Sequence, residues 1–102
     1  MSEHFNRLTP AEAERLAMLA EECADAIQVI GKILRHGYDS HHPNEPNVTN
    51  RQLLVAELRD VNAVLGAMGR AELSNANLNG GCLVETWARK LRFTHHQDGG
   101  EA

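Results

Sequence analysis

Two capping boxes set the limits on what this chain can fold into. Thr9-Pro10-Ala11-Glu12 supplies a hydroxyl N-cap, a proline at the first helical position and a glutamate placed to bond back to the cap. Thr49-Asn50-Arg51-Gln52 repeats the pattern with glutamine in the returning role. Each box opens a long run of apolar residues at helical spacing, and each run ends on a glycine, Gly37 and Gly69. The spacing predicts a first helix from Pro10 to about His36, roughly 40 Å long at 1.5 Å per residue. A second helix is predicted from Thr49 to near Gly69. The stretch between them, Tyr38 to Asn50, carries Pro43, Pro46, several asparagines and His41-His42. It is long for a connection between packed helices, and such loops are often functional.

A third helix is predicted from about Cys82 to Phe93, where Leu83, Trp87 and Leu91 recur at fours. Its last turn is basic, with Arg89, Lys90 and Arg92, as suits a helix C-terminus. Residues 1–8 read as a polar leader and the chain from Thr94 onward as a frayed tail. Residues 71–81 are weakly patterned, with Asn75, Asn77 and Asn79 before Gly80-Gly81.

The 102 residues make one small domain, whose core must be aliphatic because the chain has one Trp, one Tyr and two Phe. Scarcity of aromatics argues against strands. The expected fold is all-α: a long helical hairpin plus a third helix, completed as a four-helix-type bundle by oligomerisation, since a core this small is marginal alone. A net charge of −4 without a basic block excludes a duplex nucleic-acid footprint. Cys23 and Cys82 form neither a disulfide framework nor a zinc motif, and Cys23 is expected in the core. With no apolar run of membrane-spanning length and no signal-peptide pattern, the expectation is a cytoplasmic protein that engages no membrane.

On the first helix, Leu16, Leu19, Cys23, Ile27, Ile30 and Leu34 form one stripe. Met18, Val29 and Ile33 widen it to an arc of roughly 180°, enough for more than one partner helix. Glu22 falls inside that arc, Asp25 lies at its edge, and Glu21 faces the wet side. On the second helix the stripe is Leu53, Leu54, Val61, Val64, Leu65 and Met68. Glu57 sits at its angular centre, with Asp60 about 60° away. A carboxylate on a burying face is costly unless something pairs with it.

Glu22 with Asp25, and Glu57 with Asp60, each place two carboxylates on one helical face. Antiparallel packing brings the four together in the bundle core, a common place for metal sites. All-oxygen ligation selects hard cations, magnesium or manganese. Two plainer readings stand beside this one: solvated surface charge, and structural ion pairs with Arg15 or Lys32.

Glu21-Glu22-Cys-Ala-Asp25 followed by Glu57-Leu-Arg-Asp60 resembles the EExxE…ExxD signature of MazG-like all-α nucleoside triphosphate pyrophosphohydrolases. Ile30-Gly-Lys-Ile-Leu-Arg-His-Gly-Tyr38 and Thr94-His-His-Gln97 are similar to segments of small phage and bacterial members. The resemblance spans about residues 12–97. It implies magnesium-dependent hydrolysis of a (deoxy)nucleoside triphosphate to the monophosphate and pyrophosphate. Metal would be held by Glu22, Asp25, Glu57 and Asp60, with Glu21 and Glu22 catalytic, in a dimer or tetramer. Asp25 departs from the signature's glutamate and shortens the reach by one methylene.

Lys32, two turns beyond Asp25 on nearly the same azimuth, is a candidate for the triphosphate tail, as are Lys90 and Arg92 from the third helix. For each the plainer role is a snorkelling side chain or compensation of the helix dipole. Trp87 is expected in the core. His36, His41, His42, His95 and His96 lack metal-ligand spacing and read as loop and tail polarity. The competing function is a non-catalytic helical protein that binds a nucleotide, a cation or a partner.

Overall fold

The computed structural model describes residues 5–74 and 82–98. Within them the chain forms three helices and no strand: α1 (Pro10–His36), α2 (Asn50–Gly69) and α3 (Cys82–Leu91). The all-α expectation holds, and so do the boundaries of α1 and α2; α3 stops at Leu91, two residues short of the expected Phe93, where Arg92 and Phe93 turn out of the helix. Both capping boxes close as read. Thr9 and Thr49 each accept the backbone N–H three residues on and donate their own N–H to the Glu12 or Gln52 side chain. Gly37 ends α1 at φ 89°, ψ 166°, with its N–H donating to the Ile33 carbonyl. That conformation belongs to glycine almost alone.

Helices α1 and α2 pack as an antiparallel hairpin. At the turn end, Asn50 and Arg51 donate their N–H groups to the Ser40 and Tyr38 carbonyls, each at 2.8 Å. The buried Asn50 side chain reaches back to the Gly37 carbonyl at 3.1 Å. Arg51 stacks over the Tyr38 ring and meets Asp39 at 3.5 Å. The loop is ordered by two successive Pro-Asn turns. Glu45 N–H donates to His42 and Val48 N–H to Glu45, with Pro43 and Pro46 at the second position of each turn. An isolated antiparallel bridge joins His41 to Thr49. At the open end, Arg15 and Glu72 pair at 2.6 Å.

The face of α1 that meets α2 is not the stripe that periodicity singled out. Ala26 and Val29 are its buried residues, beside half-buried Glu22, Asp25 and Ile33. Leu16, Ile27, Ile30 and Leu34 are exposed, Ile27 to 67% and Leu34 to 82%. Cys23, expected in the core, is exposed as well. A single neighbour covers only part of an arc this wide, and here it covers the part where small Ala26 lets the helices approach. On α2 the expected stripe does face inward: Met68 is buried, and Leu53, Leu54, Val61, Val64 and Leu65 are half-buried.

Among the described residues, α3 touches neither α1 nor α2. Its apolar side therefore stays open, with Leu83, Val84 and Trp87 exposed, Trp87 to 53%. The expectation of a core Trp87 fails because nothing in the described chain covers that face. The readings of residues 1–4, 75–81 and 99–102 as leader, weakly patterned stretch and frayed tail lie outside the described residues.

Candidate metal centre

Four carboxylates lie along the α1/α2 interface, each placed there by helical register. Glu22 is one turn before Ala26, which is buried in the face that meets α2. Glu57 is one turn beyond Leu53, and Asp60 follows at the third position on. Two groups result. Glu21, Glu22 and Asp25 bring carboxylate oxygens within 4.8 Å of one another on α1. Glu22, Glu57 and Asp60 do the same across the two helices. Glu22 belongs to both. No single group gathers all four of the acids expected to hold metal, and Asp25 stands with its own helix rather than with the α2 pair.

The placements of the other residues follow from the same register. Glu21 and Asp60 are exposed, whereas Glu22, Asp25 and Glu57 are half-buried. Partial burial pushes the Glu22 carboxyl above its ordinary value, and the charges of Asp60, Asp25, Glu21 and Glu57 add to the shift. Repulsion of this kind is relieved by a cation. The ion-pair alternative does not supply one, because Arg15 is committed to Glu72 and no Lys or Arg pairs with the four acids among the described residues. An all-oxygen donor set with one carboxylate strained toward protonation fits a hard divalent cation. Exposed acidic groups also occur without an ion, so the fit rests on Glu22 and Glu57 being partly covered.

Lys32 lies seven residues beyond Asp25, about 10 Å further along the helix. There it joins Arg35 and His36 at a cavity under the hairpin turn. Lys90 and Arg92 are not brought to the carboxylates, since α3 stands apart from the hairpin. Phe93 is exposed beside them. Sequence reasoning missed the convergence of His41, His42 and Ser40 with Lys32 and Arg35. Its one signal was the doubled Pro-Asn pattern of the loop.

No family model, curated protein or solved structure matches the chain.

Proposed function

We propose that the hairpin is a magnesium-dependent hydrolase of nucleoside triphosphates, releasing the monophosphate and pyrophosphate. The observation that carries this reading is the cross-helix group of half-buried Glu22 and Glu57 with exposed Asp60, which no cationic side chain among the described residues balances. The resemblance of Glu21–Asp25 and Glu57–Asp60 to the MazG-like signature supports it. Magnesium, or manganese, held by Glu22, Glu57 and Asp60 with Asp25 beside them supplies electrophilic polarisation of phosphoryl oxygens and a more acidic water. The chain's own residues do the rest. Glu21, exposed and within reach of Glu22, accepts a proton from the attacking water. Glu22, half-buried and common to both groups, would hold the metal and help place that water.

The assembly is part of the same proposal. Exposed Ile27, Ile30 and Leu34 on α1 and the open face of α3 support a dimer or tetramer in which further helices complete the bundle. In that assembly Lys90 and Arg92 reach phosphate only from a second copy. The test is pyrophosphate release from a panel of deoxynucleoside triphosphates with magnesium, comparing wild type with Glu57→Ala. Turnover lost by at least a hundredfold in the variant is expected. Absence of turnover on every nucleotide, or equal rates in the two proteins, would falsify the reading.

A further inference from the structure

At the turn end of the hairpin a cavity of about 370 Å³ opens between α1, the loop and the start of α2. That size is at the lower end for small-molecule sites. Its polar lining is one-sided. Lys32, Arg35 and His36 come from the last turns of α1, and Ser40, His41 and His42 from the loop, with no carboxylate among the lining residues. Leu53 and Pro43 supply apolar wall. In a chain of net charge −4, such a concentration of cationic and titratable nitrogens is local.

The cations are not used up elsewhere. The ion pairs among the described residues are Arg15–Glu72 and Arg51–Asp39, which leaves Lys32 and Arg35 without a carboxylate. The Arg35 guanidinium lies back over Gly31, 3.5 Å from where a Cβ would stand. At this end of the helix the Ile33 carbonyl accepts from the Gly37 N–H, and the Gly37 carbonyl just beyond α1 accepts from the Asn50 side chain. The histidines are held by the loop's own bonding. His41 Nδ1 donates to the His42 carbonyl at 2.9 Å, and His42 Nδ1 accepts the Asn44 N–H at 3.1 Å, which leaves the His42 proton on Nε2 as a donor. Two proline-anchored turns fix that wall in advance, lowering the ordering cost of binding.

We infer that this cavity is a binding site for a small phosphorylated molecule, with Lys32, Arg35 and His42 holding the phosphate and Leu53 and Pro43 flanking its organic part. The site needs neither a metal nor the acidic residues, and Asp25 is about 10 Å of helix away. It is therefore independent of the hydrolase proposal.

Calorimetric titration of the full chain with inorganic pyrophosphate, in EDTA and at ionic strength matched with chloride, tests it. EDTA silences any metal held by the carboxylates, so binding reads the turn pocket alone. Saturable binding near one equivalent is expected, weakened at least tenfold in Lys32→Ala/Arg35→Ala and unchanged in Glu57→Ala. Both cations are exposed, and a melting temperature equal to wild type verifies that the double variant is folded. No saturable binding, or equal affinity in the folded double variant, overturns the site. Loss of affinity in Glu57→Ala but not in the double variant assigns the anion to the acidic centre and overturns it too.

Discussion

Glu22 shares both carboxylate groups, and its ionisation sets a local penalty on folding without metal. A carboxyl whose folded value lies above its ordinary 4.5 binds its proton more tightly in the folded chain than in the unfolded one. Its contribution to stability therefore falls as pH rises from 4.5 through the raised value, and the penalty is complete above it. Glu72 behaves oppositely. Its hydrogen bond to Arg15 holds the carboxyl below 4.5, so its stabilisation is present above that value and lost as pH falls through the lowered one. Glu22→Gln is expected to raise the melting temperature at pH 7 in EDTA, to flatten the decline above pH 4.5, and to remove the stabilisation that magnesium gives wild type. Thermal melts across pH, with and without magnesium, check all three. A variant less stable than wild type in EDTA at pH 7 contradicts the repulsion.

At the scale of elements, Gly37 ends α1 in a backbone region other residues avoid, yet open space lies where its side chain would be. Gly37→Ala therefore isolates the conformational cost, expected at about 1–3 kcal/mol, with no clash to confuse it. Urea unfolding measures it, and a loss below about 0.5 kcal/mol shows that the turn relaxes. Helix ends were legible because caps are local: four residues carry Thr9–Glu12, four carry Thr49–Gln52, and each closes within itself. Faces were legible only in part. Periodicity located the inward side of α2, where the stripe is narrow and Glu57 sits within it. On α1 it marked a wide apolar arc but not which portion the single neighbour would cover, so Cys23 and Leu34 were misassigned. The turn pocket was opaque for another reason: its residues come from three segments, and only the folded loop brings His42 to the cavity that Lys32 and Arg35 also line.

Across the whole molecule, only three apolar side chains among the described residues are buried, Ala26, Val29 and Met68. Set against an ordering cost of about 1–2 kcal/mol per residue, that is a slender core for two helices of 27 and 20 residues. Assembly through the open α1 face is the expected remedy. Ile27→Lys should shift the sedimenting species toward 11.3 kDa and make melting depend less on protein concentration. Unchanged sedimentation in that variant places any interface elsewhere. The Arg15–Glu72 pair has a mechanical consequence. It spans 57 residues of sequence and closes the hairpin at the end where both strands of the chain leave. Tension pulling those strands apart loads this pair first and then opens α1 from α2 turn by turn, as a zipper does. The knot of Asn50, Arg51 and Tyr38 at the far end bears load last, so under force the turn pocket outlives the helix interface beside it.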